Sequence, residues 1–123
     1  MKRILVVDDD GATRELMKAI LGKDGFEVEE AGGAHHAREI LARGPVDLIF
    51  LDEAMPGESG HEFCRFVKQS LGPAAPKVVI LTAMEAQRDW QEGLEAGADV
   101  YAVKPFGGER IRLLARNLLG EGA

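Results

Sequence analysis

The 123 residues of this chain, 46% hydrophobic and 29% charged, have the composition of an ordinary globular domain. The net charge of -6 argues against non-specific nucleic-acid binding, because no basic field offsets phosphate repulsion. The single cysteine excludes an intrachain disulfide, and no apolar run approaches the roughly 20 residues of a membrane span. We therefore expect one cytoplasmic domain over residues 1–123, with no membrane partner and no direct nucleic-acid partner.

Five short apolar runs predict the strands of a sheet. Four of them are continuous, which is typical of strands that are buried on both faces in a parallel sheet. The run at 26–29 alternates instead and predicts a half-exposed edge strand. In chain order the predicted strands are residues 4–7, 26–29, 48–51, 78–81 and 100–103.

Apolar residues at helical spacing predict a helix after each strand. Asp10 can cap the first helix, which Gly22 and Gly25 would end, and Ser59 with Glu62 forms a capping-box pair before the third. Strict alternation predicts an α/β fold, a single doubly wound (βα)5 domain with a parallel sheet. The expected inward positions, helix by helix, are Leu16, Met17, Ile20 and Leu21; Ala37, Ile40 and Leu41; Phe63, Phe66 and Val67; Trp90 and Leu94; and Ile111, Leu114, Ala115 and Leu118. We expect His35, His36 and His61 on solvated faces.

Polar side chains follow four of these strands, at the edge where an open α/β sheet places its chemistry. Three crowded carboxylates repel one another, so a hard cation such as Mg²⁺ is expected to keep them ionised. An aspartate there can form an acyl phosphate, and an ammonium and a hydroxyl would stabilise the transferring phosphoryl group. Each residue alone has an ordinary reading as a cap, turn or surface residue, but their joint position favours function. They are Asp8, Asp9 and Asp10 after the first strand, Asp52 after the third, Thr82 after the fourth and Lys104 after the fifth.

In their order and spacing, the four short motifs that contain these strand-end residues resemble the receiver domain of two-component response regulators. The resemblance covers the chain from Ile4 to about Leu119. It implies the strand order 2-1-3-4-5 that is known for the chemotaxis-type fold. Residues 117–123 would be the start of a linker if an output domain follows. The motifs are Val6-Val7-Asp8-Asp9-Asp10, Leu51-Asp52-Glu53-Ala54-Met55-Pro56-Gly57, Leu81-Thr82-Ala83 and Val103-Lys104-Pro105-Phe106.

The resemblance implies a role for each residue of this group. Asp52 would accept a phosphoryl group from a sensor histidine kinase or a phosphotransfer protein. The domain would be a signalling phosphoacceptor, not an enzyme, although it would assist its own phosphorylation and dephosphorylation. Mg²⁺ or Mn²⁺ would be held by Asp9, Asp52 and the backbone carbonyl of Ala54, with Asp8 acting largely through water. Lys104 would contact the phosphoryl oxygens.

The resemblance also implies a conformational switch. Thr82 would move towards the phosphoryl group and let Tyr101 turn from an outward to an inward rotamer. The surface formed by the fourth helix, fifth strand and fifth helix would then change its contact with a downstream effector protein or domain. A cis peptide bond is expected before Pro105. Neither Ala54 nor Met84 can position an attacking water, so we predict slow loss of the phosphoryl group.

The oligomeric state is open at this point. Family members that dimerise through the switch surface usually carry paired acids before the aromatic residue of the fifth strand. Here that pair is Asp99 and Val100. Both a monomer and a phosphorylation-dependent dimer are therefore compatible with the sequence.

Two other functions are also open. Residues 8–13 read as the Asp-x-Asp-Gly-x-Thr loop of haloacid dehalogenase-type phosphatases, with Asp8 as nucleophile and Asp10 as acid/base. The chain is short for that fold, and the loop explains neither Asp52 nor Lys104. The second alternative is an interaction module whose function does not depend on phosphorylation.

Overall fold

The computed structural model describes residues 1–83, 97–104 and 107–120, and these residues contain the predicted sheet. Its five strands are all parallel and lie in the order β2-β1-β3-β4-β5, which confirms the predicted order. The strands are β1 (Arg3–Val7), β2 (Glu27–Ala31), β3 (Leu48–Asp52), β4 (Lys77–Ala83) and β5 (Val100–Lys104).

Four helices connect or follow the strands within the described residues. They are α1 (Gly11–Lys23), α2 (Ala34–Arg43), α3 (Gly60–Leu71) and the C-terminal helix (Gly108–Leu119); a single 3-10 turn, Gly72–Ala74, follows α3. Asp10 caps α1, and Ser59 and Glu62 form the capping box of α3, as predicted. In this part of the chain no helix has the length and apolar character needed to cross a membrane. The predicted fourth helix with Trp90 and Leu94, the residue Met84 and the Pro105 peptide bond lie outside the described residues.

The sheet separates two apolar layers, which is why its central strands are buried on both faces. All five residues of β3 are buried. Leu5, Val7, Ile49 and Leu51 point to the layer under α2 and α3, whereas Ile4, Val6, Leu48 and Phe50 point to the layer under α1 and the C-terminal helix. Cys64 lies in the first layer, and burial raises the pKa of its thiol to about 11, so it remains a protonated packing residue.

Leu16, Phe66 and the end of α1 differ from the sequence prediction. Leu16 is 62% exposed, because Met17 and Leu21 centre the buried stripe of α1 away from it. Phe66 is also exposed, and its ring is covered by the Arg38 guanidinium, whose carbon lies 4.2 Å from the ring centroid. Helix α1 continues through Gly22 to Lys23 before the chain turns at Gly25.

The outer strand β2 is rich in carboxylates, as its alternating pattern predicts for an edge. Glu27 and Glu29 both pair with Arg3, at 3.1 and 2.8 Å. Glu30 pairs with Arg14 at 3.0 Å. The edge of the sheet is therefore lined with charge and tied to β1 and α1.

An ion pair joins the end of α1 to the C-terminal helix. Asp24 accepts two hydrogen bonds from Arg116, at 2.7 and 2.6 Å, and one from Arg112 at 3.3 Å. The Arg116 hydrogen bonds, with a smaller contribution from Arg112, hold the pKa of Asp24 below its usual value. The charged form of Asp24 is therefore more favourable in the folded protein than in the unfolded chain, and it stabilises the fold.

Asp24→Asn is expected to lower the free energy of unfolding at pH 7. Because the folded-state pKa is depressed, this stabilisation is fully present above the unfolded pKa of about 3.9 and is lost as the pH falls through the folded value. Urea unfolding of wild type and Asp24→Asn from pH 7 to pH 3 should show a difference in the free energy of unfolding that becomes smaller in acid. Glu15→Gln, on the exposed face of α1, is the control. A gap that is constant with pH would contradict the assignment.

Candidate acidic site at the strand ends

The three predicted carboxylates meet where β1 and β3 end. Val7 and Leu51 are paired in the sheet, which brings Asp8, the residue after β1, beside Asp52, the last residue of β3. Ligand oxygens of Asp8, Asp9 and Asp52 all lie within 4.8 Å of one another. Asp8 is 2% and Asp52 6% exposed, while Asp9 faces solvent. The result is a carboxylate cluster that is open on one side.

Lys104, at the end of β5, reaches across β4 to this cluster. Its Nζ lies 3.2 Å from Asp8 Oδ2 and 3.1 Å from Asp52 Oδ1. Lys104 thus contacts two of the three carboxylates, and one ammonium can offset the charge of only one of them. The structure therefore brings together four of the predicted site residues.

The protonation of the buried pair follows from these contacts. Burial raises the pKa of Asp52; the hydrogen bond from Lys104 opposes this, and the charge of Asp8 adds to it. Burial alone would lower the pKa of Lys104, but the hydrogen bonds and charges of Asp52 and Asp8 outweigh it and raise the pKa. The lysine is therefore a cation at neutral pH.

The donor set has the chemistry of a magnesium site. Mg²⁺ prefers oxygen ligands, binds one or two carboxylates and keeps several waters. Buried Asp8 and Asp52 with exposed Asp9 offer carboxylate oxygens on one side and access to water on the other. The residues thus fit a hard divalent cation. The role of the Ala54 carbonyl as a ligand stays a prediction.

Thr82 and Tyr101 lie beside this cluster, and both contact the side chain of Glu53. The hydroxyl of Thr82 donates to Glu53 Oε2 at 2.9 Å, and the hydroxyl of Tyr101 donates to the same oxygen. Tyr101 is only 9% exposed, so it occupies an inward position in this structure. Its movement between two rotamers stays a prediction.

The sequence prediction for His61 was wrong, whereas His35 and His36 are exposed as expected. His61 is 6% exposed, its Nε2 lies 3.0 Å from the Tyr101 oxygen, and the two rings stack with centroids 5.8 Å apart. The signal that could have revealed it is its spacing, three residues before buried Cys64 on the same face of α3. Glu53 was noted only as part of a motif, and its two hydroxyl contacts required the assembled sheet.

Asp52→Asn is expected to raise the melting temperature at pH 7 in the presence of a chelator. The raised pKa means that the charged carboxylate is disfavoured in the folded state, and a neutral amide of the same shape removes this cost. The gain should vanish as the pH falls below the unfolded pKa of about 3.9, where wild-type Asp52 is also neutral. Thermal unfolding in EDTA measures it.

Asp47→Asn is the control. Asp47 lies before β3, at its other end, and accepts a hydrogen bond from the backbone N–H of Arg3 at 2.8 Å. This variant should have a lower melting temperature than wild type. A lower melting temperature for Asp52→Asn would mean that the Lys104 ion pair outweighs burial and the Asp8 charge.

Residues 4–116 match the family described as response regulator receiver domain. The chain is 37% identical over 124 residues to the transcriptional regulatory protein AruR of Pseudomonas aeruginosa. This match covers 95% of the present chain and 49% of AruR. The chain is 41% identical over 117 residues to the response regulator MprA of Mycobacterium leprae, covering 95% and 50% respectively. The chain thus spans about half the length of these curated relatives.

Solved structures share the fold over nearly the whole chain. The chemotaxis protein CheY4 of Vibrio cholerae superposes with a TM-score of 0.90 at 29% identity, covering 97% of this chain and 99% of its own. A CheY-like receiver domain protein from Methanospirillum hungatei gives a TM-score of 0.90 at 30% identity, covering 98% and 94%.

Proposed function

Because the chain belongs to the response regulator receiver family, we propose that Asp52 is its phosphoacceptor. Domains of this family accept a phosphoryl group, and membership implies a sensor kinase as partner. The observation that carries the proposal is the position of Asp52. Its carboxylate lies within 3.1 Å of a lysine ammonium and among the acids Asp8 and Asp9. This arrangement combines a nucleophile with cationic charge for an incoming phosphoryl group.

Transfer needs little covalent chemistry from the chain. One carboxylate oxygen of Asp52 attacks phosphorus as the bond to the donor nitrogen breaks, and the leaving imidazole takes its proton from solvent. The ammonium of Lys104 orients the carboxylate before the reaction. Lys104 then neutralises charge on the phosphoryl oxygens.

A divalent cation would be held by Asp8, Asp9, Asp52 and the Ala54 carbonyl, Asp8 largely through water. The chemistry that Mg²⁺ or Mn²⁺ supplies there is neutralisation of negative charge on the phosphoryl oxygens and on the acidic cluster. The remaining steps belong to the side chains of this domain.

The test is incubation with acetyl phosphate and Mg²⁺, followed by intact mass measurement and peptide mapping. We expect one phosphoryl group on Asp52, lost in Asp52→Asn and after chelation of the metal. A label on Asp8 would favour the phosphatase reading. No label on a protein that still unfolds cooperatively would leave an interaction module, and either result overturns the proposal.

The phosphatase alternative also meets a local difficulty at Asp10. Its carboxylate is exposed and accepts hydrogen bonds from the N–H and the hydroxyl of Thr13, at 3.3 and 2.5 Å, so it acts as the cap of α1. An acid/base residue would have to leave these bonds. This favours Asp52 as the acceptor.

We propose that the phosphorylated domain signals to an effector protein or to a further domain, not directly to nucleic acid. The net charge of -6 supports this, since the surface would repel a phosphate backbone. Movement of Thr82 and Tyr101 would transmit the change to the surface beside β5.

Ala54→Asn is expected to shorten the lifetime of the phosphoryl group on Asp52 severalfold. Ala54 is exposed beside Asp52 and has no group that can position an attacking water, whereas an amide can donate and accept hydrogen bonds there. Loss of label after removal of acetyl phosphate measures it. Ala54→Val, which adds bulk without a polar group, is the control. A wild-type half-life shorter than that of Ala54→Asn would contradict the prediction.

A further inference from the structure

Glu53, the residue after Asp52, gathers two hydroxyl groups on one carboxylate oxygen. Thr82 and Tyr101 both donate to Oε2. The Glu53 side chain is 15% exposed, so these bonds lie largely out of water, where bonds to a charged acceptor are strong. Glu53 thereby links β3 to both β4 and β5 next to the acidic site.

The position of Glu53 is fixed through its backbone. Its N–H donates to the carbonyl of Leu81 at 2.9 Å, and its carbonyl accepts from the N–H of Gly60 at 2.9 Å. These two bonds fix the backbone from which the Glu53 carboxylate reaches Thr82 and Tyr101.

His61 also contacts Tyr101, and its Nε2 lies 3.8 Å from Glu53 Oε2. The tyrosine hydroxyl carries one proton and gives it to Glu53, so the 3.0 Å contact with His61 Nε2 is one in which the histidine N–H donates. With its ring stacked on His61, Tyr101 has two anchors. Glu53 would keep this partner if Thr82 left.

A threonine hydroxyl also has a single proton, so Thr82 cannot donate to Glu53 and to a phosphoryl oxygen at once. We propose that Glu53 is a positioning residue that competes with the phosphoryl group for the Thr82 hydroxyl. The strength of that competition sets how tightly Asp52 and its neighbours hold a phosphoryl group. The inference rests on the proposed function of Asp52 and on the proposed movement of Thr82 towards its phosphoryl group.

The binding of beryllofluoride with Mg²⁺, as an analogue of the phosphoryl group, measures the competition. Glu53→Ala should tighten binding by about 5- to 150-fold, the range of ordinary coupling between sites. Glu53→Gln should tighten it less, because its neutral amide oxygen remains an acceptor for Thr82. Equal gains in the two variants would show that only the removed charge matters, and weaker binding would reverse the sign; both overturn the proposal.

A double-mutant cycle with Thr82→Val separates competition from simple electrostatics. Valine has no proton to donate, so Glu53→Ala should leave beryllofluoride affinity nearly unchanged in that background. A gain of the same size as in the wild-type background would overturn the proposal.

A spectroscopic measurement tests the resting contacts without any ligand. Tyr101 is the only tyrosine of the chain, so ring signals from tyrosine-labelled protein report on it alone. Glu53→Ala should shift these NMR signals, and unchanged signals would overturn the proposal. Because wild-type phosphorylation is measured separately, failure of Asp52 to take up a phosphoryl group would contradict the proposed function and not these contacts.

Discussion

Lys104→Met is expected to slow phosphorylation of Asp52 by acetyl phosphate by about 10²- to 10³-fold, the usual cost of losing one donor to a developing anion. Lys104 Nζ contacts both Asp8 and Asp52, so the variant loses the cation that orients the acceptor oxygen. Methionine keeps much of the length and apolar character of the lysine stem. The initial rate of label incorporation in saturating Mg²⁺ measures the effect.

The control for Lys104→Met is Lys77→Met. Lys77 is a half-exposed lysine at the start of β4, at the end of the strand opposite to the acidic site, and its Nζ lies 3.9 Å from Asp99. Its replacement should leave the rate unchanged. Circular dichroism would establish that both variants are folded. A Lys104→Met protein that is folded and labels at the wild-type rate would refute the assigned role of Lys104.

Gly60→Ala is expected to destabilise the domain by about 1–3 kcal/mol or more, the range for overpacking a close contact. A Cβ at residue 60 would lie 2.4 Å from the backbone oxygen of Asp52 and 2.9 Å from the Cα of Glu53. Both atoms belong to the backbone that carries the acceptor, so no side chain can move aside. The first turn of α3 would have to separate from the end of β3.

Urea unfolding measures this loss, and Gly22→Ala is the matched control. Gly22 lies within α1, and a methyl group added there would meet nothing within 4 Å, so alanine should stabilise the helix by up to about 1 kcal/mol. The two alanine substitutions thus carry opposite signs. Equal stabilities for Gly60→Ala and wild type would contradict the close approach of α3 to β3.

The acidic site was predictable because it depends on strand ends alone. Once Asp8 and Asp52 follow apolar runs of a parallel sheet, the shared edge of that sheet brings them together. Lys104 follows from the same argument. No tertiary distance was needed for these residues, only the order of strands and helices.

The contacts of Glu53, Gly60 and His61 depend on a different kind of information. The Gly60 contact arises because α3 begins directly against the end of β3. The contacts of Glu53 and His61 arise because their side chains meet Tyr101 on β5, and Glu53 also meets Thr82 on β4. Hydrophobic periodicity encodes none of these approaches. Leu16 and Phe66 show the same limit, since each matches a helical period but lies at the margin of its buried stripe. Periodicity gives the direction of a face but not its width.

The carboxylate-lined outer strand has a consequence for self-association. Unpaired backbone groups on an edge strand can template pairing with another molecule, the first step towards fibrillar aggregates. Three of the five residues of β2 are glutamates, and each is ion-paired with a basic side chain of β1 or α1. A second copy aligned along this border would have to remove these charged groups from water. Growth of the sheet from one molecule into the next is therefore opposed by the cost of desolvating its charged margin.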